Sequence, residues 1–492
     1  MQLSIEETLK NGKIAEATMC YTGDILDETK DKYNLAYYVN LAKELEKTGA
    51  QILGIKDMSG LLKPYAAKKL IKALKNEIGI PVHLHTHDTT GNGVATILMA
   101  AEAGVDIADT AVDSMSGLTS QAALNSVVAA LENTDRDTGM NIEKVEEISK
   151  YWEAVRPVYA NFESDLKSGT TEIYRYEIPG GQYSNLKPQV ESFGLGHKFK
   201  EVKEMYKEVN QMVGDIIKVT PSSKMVGDMA IFMVQNGLTK DNIYEKGKNL
   251  DYPDSVRTYF KGMMGQPYGE FPKELQKLVL KGEEPIKVRP GELLADEDFQ
   301  AVKKHLEEKG MEASDRNAVS YTLYPKVIDD YIDYVKENGD VSGIGSDVFF
   351  HGLMEGETAE ISIGEGKNLI VTLIEVGKLL DDGTRNLTFE INGNRRTINL
   401  EDKTATVTSK ARSQTLFADK NNEKEVGSSI PGQIVKINVK VGDKVKAGDT
   451  LFIAEAMKME ANVVANIDGT VKEIFVEVND SVENGQLLLT FE

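Results

Sequence analysis

The chain has 492 residues, enough for several domains, and 41% apolar content supplies material for large cores. A formal net charge of −21 excludes nucleic acid polymers and anionic membrane surfaces as partners. A single cysteine, Cys20, excludes a disulfide framework; with no run of about 18 apolar residues and no signal-peptide pattern at the N-terminus, a cytoplasmic setting is expected.

Residues 14 to 131 alternate short apolar runs with amphipathic stretches, the pattern of parallel strands joined by helices. Strands are expected over 14 to 21, 51 to 56, 82 to 87 and 105 to 110, with helices near 34 to 48, 64 to 77, 91 to 103 and 119 to 131. These make four βα units. A closed (β/α)8 barrel needs eight units and about 250 residues, so the segment is a smaller open sheet or half of a barrel.

The second strand ends in Gly54-Ile55-Lys56-Asp57. A lysine ammonium has no lone pair for a metal, but carbamylation by CO2 would make Lys56 an oxygen ligand; an ion pair with Asp57 or with a carboxylate elsewhere is an equal alternative. In the third strand His83, His85 and His87 recur at period two and therefore project to one face. His85 and His87 fall at its C-terminal end, where barrel active sites lie and where neutral imidazoles can converge on a divalent metal. His83, deeper in the strand, is expected to be structural or to support the ligands from behind.

Residues 151 to 310 read as mainly helical. Within them, Thr220 before Pro221 reads as a helix N-cap followed by proline at the first helical position. Between 311 and 410, Tyr321-Thr322-Leu323-Tyr324-Pro325 precedes a helix, and strands follow near 349 to 363, 369 to 376, 386 to 391 and 395 to 400, with Asn392-Gly393 as a hairpin turn. Residues 403 to 428, rich in Lys, Ser, Thr and Asn, read as a polar linker.

Residues 432 to 445 recur at an offset of 37 as residues 469 to 482, so the C-terminal domain is expected to be an internally duplicated, pseudo-symmetric β-structure. Glu455-Ala456-Met457-Lys458-Met459-Glu460 lies between the halves, where a strand must reverse. A hairpin tip there would project the Lys458 amine into solvent on a rigid base, as a carrier arm requires.

These motifs carry a resemblance. Residues 426 to 492, with Met457 and Met459 flanking Lys458, closely resemble the biotin carboxyl carrier domain of biotin-dependent carboxylases. Residues 54 to 64, His85-Thr86-His87-Asp88-Thr89, Asp113-Ser114-Met115-Ser116-Gly117 and residues 214 to 228 resemble the carboxyltransferase domain of the pyruvate carboxylase family. The resemblance implies a multidomain α/β plus β chain. Its parts would be the C-terminal half of a (β/α)8 TIM barrel over 1 to 150, a helical funnel over 151 to 310, an α+β tetramerisation domain over 311 to 410 and a flattened β-barrel biotinyl domain.

The resemblance further implies transfer of CO2 from carboxybiotin to pyruvate to give oxaloacetate, with biotin covalently on Lys458 and a divalent metal, Mn or Zn, on His85, His87 and carboxylated Lys56. Thr220 would carry the proton between pyruvate and biotin, and Ser223 and Lys224 would line the biotin pocket. The family's Asp-Ala-His-Gln motif, which supplies a fourth metal ligand, does not occur here. Implied partners are biotin protein ligase, the biotin carboxylase domain and N-terminal barrel half of the same enzyme, the other subunits of a homotetramer, and an acetyl-CoA or cyclic dinucleotide effector, with Tyr37, Tyr38 and Tyr65 as candidate stacking residues. An oxaloacetate decarboxylase α-type subunit, which usually has a Pro and Ala-rich linker in place of the domain at 311 to 410, is the enzymatic rival. A non-catalytic biotin carrier or assembly fragment is the other.

Overall fold

Alternation of apolar and polar residues builds the N-terminal sheet, whose strands bury one face under helices. The computed structural model describes residues 2–163, 166–380, 383–402, 416–419, 422–428, 432–456, 459–478 and 480–492. They divide into two units: Met1–Arg156 with Glu163–Pro290 and Thr415–Glu492, and Pro157–Phe162 with Gly291–Gln414.

In the first unit, helix α1 (Gln2–Lys10) precedes β1 (Glu16–Cys20), α2 (Leu35–Lys47), β2 (Ile52–Asp57), α3 (Pro64–Glu77), β3 (Val82–Thr86), α4 (Gly93–Glu102), β4 (Ile107–Ala108) and α5 (Leu124–Leu131). The strands form one parallel sheet in the order β1-β2-β3-β4. Each expected unit is present, with β4 only two residues long. The helices form where capping and apolar spacing agree. Asn34 accepts the Tyr37 N–H at the start of α2, and Pro64 opens α3, whose Ala66, Ala67, Leu70, Ile71 and Leu74 make one buried stripe. In β3, Val82, Leu84 and Thr86 are buried, while His83 and His85 occupy the alternate, partly open positions.

After α6 (Ile142–Val155) come α7 (Ile173–Tyr176), α8 (Gly180–Ser192), α9 (Phe199–Met212) and α10 (Ser222–Gln235). α10 is the apolar centre of this helical part, with Met225, Val226, Met229, Ala230, Ile231, Met233 and Val234 buried. α8 packs close to it: a Cβ on Gly227 would come 2.8 Å from Gln182 Nε2.

The boundary between helical part and second domain falls earlier than residue 310. Val302 and Leu306, from the helix Phe299–Lys309, form one core with Ala318 and Ile332. That helix therefore belongs to the second unit, because its apolar stripe is covered there. The unit ends in an antiparallel meander, β5 (Thr358–Gly364), β6 (Lys367–Val376), β7 (Thr384–Ile391) and β8 (Asn394–Glu401). The strand expected from 349 begins only at Thr358, since Phe349 lies in the helix Ser346–His351.

The carrier-like domain contains β9 (Glu425–Gly427), β10 (Gly432–Ile437), β11 (Lys444–Val445), β12 (Thr450–Ala456), β13 (Met459–Val464), β14 (Gly469–Ile474), β15 (Ser481–Val482) and β16 (Leu487–Phe491). The 37-residue repeat reappears in its pairing. Gly432 pairs with Val482, and its counterpart Gly469 pairs with Val445. The ladder irregularity between Ile434 and Lys436 recurs between Val471 and Glu473, and that between Thr450 and Phe452 recurs between Leu487 and Leu489. Both halves also turn on an aspartate: Asp443 accepts the Lys440 N–H and Asp480 the Glu477 N–H, each at 2.8 Å.

The same symmetry corrects the linker. β13 pairs with β12, and β9 pairs with β16 at equivalent positions, Val464 with Thr450 and Gly427 with Leu487. Residues 422 to 428 are thus structural, with Val426 2% exposed, while most of the remaining expected linker lies outside the described residues. Val426→Ala is therefore expected to destabilise the domain by roughly 1.5–3 kcal/mol, read as faster amide exchange in peptides covering 469–491. A linker valine would leave that exchange unchanged.

Candidate metal centre

The C-terminal ends of β2 and β3 bring Lys56 and His85 side by side, since they are register partners. Neighbouring strands stand about 5 Å apart, so an altered Lys56 side chain can reach the imidazole. His87 follows immediately after β3. Its Nε2 lies 3.4 Å from His85 Nε2, with the rings at 81° to each other.

Hydrogen bonding at the far side of each ring decides what that gap holds. His87 Nδ1 is 2.6 Å from the Thr119 carbonyl oxygen, which can only accept, so the proton sits on Nδ1. His85 Nδ1 is 2.8 Å from Asp109 Oδ2. Burial raises the Asp109 pKa, but its hydrogen bonds to His83 and His85 outweigh that and hold it below the usual range, so Asp109 is an ionised acceptor. In their neutral forms both imidazoles then turn an Nε2 lone pair toward the same point. Burial, the largest influence, lowers the His87 pKa and favours that neutral form.

A cation fits between them. Two nitrogens each about 2.1 Å from one tetrahedral ion stand roughly 3.4 Å apart. Among the described residues no group of three or more His, Cys, Asp or Glu side chains could hold a metal. Lys56, the register partner of His85, lines the neighbouring cavity. Its alternative partner is committed elsewhere: Asp57, fully buried, accepts from the N–H groups of Ser59, Leu61 and Leu62 and from Thr86 Oγ1. Among the described residues Lys56 Nζ makes no hydrogen bond or ion pair.

His83 is not part of the convergence. Its Nδ1 meets Glu16 at 3.0 Å and its Nε2 meets Asp109 at 2.8 Å. Burial lowers its pKa, but the hydrogen bonds to Asp109 and Glu16 outweigh this and raise it, which suits an imidazolium bridging two carboxylates. A chain Glu16, His83, Asp109, His85 thus runs along the open face of the sheet and borders a 190 Å3 cavity that Lys56 also lines. Glu16 and Asp109 were not singled out from the sequence. Both stand in expected strands, but their meeting with the histidines depends on strand pairing.

One further segment closes on the site. Gly180 donates its N–H to the Met58 carbonyl at 2.8 Å, and a Cβ there would stand 3.3 Å from His87 Nδ1 and 3.2 Å from Thr89 Oγ1. Thr220 lies in the loop between α9 and α10, exposed. It is not the N-cap: α10 starts at Ser222, with Pro221 in the capping position after a cis Thr220-Pro221 peptide. The Ser222 hydroxyl instead ties the loop, accepting from the Val219 N–H at 3.1 Å and bonding the carbonyls of Ile217 and Val219. Ser223 is buried, and Lys224 pairs at 3.4 Å with Asp228, itself held by Ser255 and Gln189.

The remaining candidates stand apart. Tyr38 is a core residue: fully buried, stacked on Tyr21 at 5.2 Å and hydrogen-bonded to both backbone groups of Thr22, it has no free face for a ligand. Tyr37 packs against Tyr33, Tyr38 and Tyr268, and Tyr65 is exposed. Lys458 lies outside the described residues; the strands on either side of it end and resume at the paired Ala456 and Met459.

Three stretches of the chain match families of known proteins. Residues 15–151 match the HMGL-like family, 173–372 the conserved carboxylase domain and 424–491 the biotin-requiring enzyme domain. Over its whole length the chain is 52% identical to pyruvate carboxylase of Bacillus subtilis, covering 43% of that protein. The carboxyl transferase domain of Rhizobium etli pyruvate carboxylase, solved with pyruvate and biocytin, matches with a TM-score of 0.77 at 46% identity, over 82% of this chain and 68% of that one. The chain belongs to the pyruvate carboxylase family. The complete multifunctional Rhizobium etli pyruvate carboxylase matches all of it with a TM-score of 0.76 and 43% identity, over 45% of that chain.

The chain thus spans less than half the length of the curated relatives it matches. Family membership makes the four βα units part of a (β/α)8 barrel, with Lys56, His85 and His87 at the end where such barrels carry their chemistry. No helix among the described residues is long and apolar enough to cross a membrane. Elemental analysis of purified protein is expected to find a divalent metal that the double variant His85→Ala/His87→Ala loses. Asp109→Asn should weaken metal affinity roughly 10- to 100-fold by loosening the His85 ring. Unchanged metal in the double variant would make both histidines structural.

Proposed function

We propose that this chain is the carboxyltransferase and biotin-carrier part of a pyruvate carboxylase, transferring a carboxyl group from biotin to pyruvate to form oxaloacetate. The whole enzyme would use ATP and bicarbonate in a separate biotin carboxylase domain. The observation that carries the reading is the pair of Nε2 lone pairs converging beside Lys56. The folded unit at Gly291–Gln414, between the carboxyltransferase part and the carrier, supports the carboxylase over a decarboxylase α-type subunit.

His85, His87 and carbamylated Lys56 would hold the divalent metal, and Asp109 and the Thr119 carbonyl would keep the imidazole protons away from it. When bound, the cation supplies Lewis acidity to the keto oxygen of pyruvate, offsetting the negative charge that develops as the methyl group is deprotonated. Lys458 would hold the biotin, whose ureido group would supply the carboxyl group to be transferred. The Thr220 hydroxyl both accepts and donates. It would pass a proton from the pyruvate methyl group to the ureido group, whose N–CO2 bond has broken, leaving the pyruvate enolate to form its new C–C bond to CO2. Buried Ser223 and the Lys224 ammonium would stabilise charge on the ureido oxygen.

Biotin protein ligase would attach the cofactor, and residues 311 to 410 would assemble a homotetramer. An effector, acetyl-CoA or a cyclic dinucleotide, would act on the whole enzyme, with Tyr37 and Tyr65 as the remaining stacking candidates. Lys458→Ala is expected to abolish the streptavidin signal seen after expression with a biotin ligase; a surviving signal places biotin elsewhere.

Thr220→Ala should lower carboxyl transfer to pyruvate by about 10²- to 10⁴-fold, while ATP cleavage coupled to biotin carboxylation continues. Thr220→Ser keeps the hydroxyl and should retain much of the rate. Equal inactivity of the serine and alanine variants in well-folded protein would return Thr220 to a loop role.

A further inference from the structure

Lys218 is 1% exposed, an expensive place for an ammonium group. Its Nζ lies 3.1 Å from Glu177 Oε2 and 3.5 Å from Thr22 Oγ1. The other Glu177 oxygen meets Lys30 Nζ at 3.0 Å. Burial alone would raise the Glu177 pKa; Lys218 and Lys30 outweigh it and hold the carboxylate ionised. Glu177 also has a left-handed backbone, φ 57°, where the chain reverses between α7 and α8.

The three charged residues come from three segments with separate duties. Lys30 and Thr22 belong to the loop after β1, which also grips the α9–α10 loop through Lys32 on the carbonyls of Gly214 and Asp215 and Tyr33 on that of Asp215. Glu177 stands three residues before Gly180, which rests on His87. Lys218 stands two residues before Thr220, so their Cα atoms are at most about 7 Å apart. One carboxylate, its side chain only 16% exposed, therefore joins the segment beside a metal-site histidine to the loop that presents Thr220.

We infer that the Lys30–Glu177–Lys218 triad is a positioning device that sets the Thr220 hydroxyl relative to the metal site, with Glu177 as its hub. The inference rests on the proposed proton-carrying role of Thr220. None of the three charged groups enters the chemistry. The Lys30 arm faces solvent and can slide, but the Lys218 amine is buried, and its pairing with Glu177 has few geometries that satisfy both charges, which keeps the two segments in register. Displacing a reacting group by about 1 Å costs on the order of 10²-fold in rate, which is the scale of effect a positioning residue can have.

A double-mutant cycle on the holoenzyme tests this, with wild type, Thr220→Ala, Lys218→Met and the double variant assayed for carboxyl transfer to pyruvate. Lys218→Met is expected to lower kcat about 10- to 100-fold, with KM for pyruvate within about threefold and metal content unchanged. The double variant should be no slower than Thr220→Ala alone, because Lys218 acts through that hydroxyl. Glu177→Gln, which keeps the shape but removes the charge and can accept from only one of the two ammonium groups, should show the same pattern and serves if Lys218→Met does not fold. An equal loss in both Thr220 backgrounds, or a rise in KM in place of a fall in kcat, would overturn the inference. A fully active Thr220→Ala would overturn the proton-carrying role itself, a different result.

Discussion

Two imidazole nitrogens 3.4 Å apart, each ring having committed its proton to the opposite side, set the character of this protein. Facing lone pairs repel unless something positive lies between them. The surroundings keep them facing: a backbone carbonyl fixes His87, an ionised carboxylate fixes His85, and a glycine lets α8 close over the ring. The sheet supplies the remainder, because parallel register puts Lys56 beside His85. An aspartate that might have paired with Lys56 is consumed by four hydrogen bonds, three that order the loop after β2 and one from Thr86 in β3.

The helical part reads as a frame built around that end of the sheet. Its apolar centre, α10, carries Ser223 and Lys224 near its start, and the loop entering it carries Thr220. Polar ties hold this loop at two places, backbone carbonyls gripped by Lys32 and Tyr33 and the buried Lys218 amine paired with Glu177. Buried charges add little net stability compared with apolar packing, so their use here fits a need for fixed geometry. The carrier-like domain solves a different problem. Duplicating one set of strands, with their bulges and aspartate turns at equivalent places, gives a small domain a rigid hairpin base on either side of Lys458.

What could be read from the sequence follows from how local each signal is. Period-two histidines are legible because strand alternation alone puts them on one face, and β1 to β3 fall where apolar runs announce them. Asp109 and Glu16 were not legible, since only strand pairing brings them to His83. A buried lysine such as Lys218 looks in sequence like any exposed one. β9 has three residues, too few for a period, and its polar neighbours read as linker until the repeat assigns it a partner. The helix Phe299–Lys309 shows an apolar stripe but not which core covers it. Thr220 lost its capping role because a proline occupies the N-cap and the Ser222 hydroxyl ties the loop.

The convergence of His85 and His87 on one cation is tested most directly by X-ray diffraction from crystals of the metal-loaded holoenzyme, collected on both sides of the metal's absorption edge. The account predicts a single anomalous peak between the two rings, about 2.1 Å from both Nε2 atoms, with the Lys56 side chain extended by a carbamate whose oxygen also touches it. A peak bonded to only one imidazole, or none at this site in protein shown to contain the metal, would contradict it.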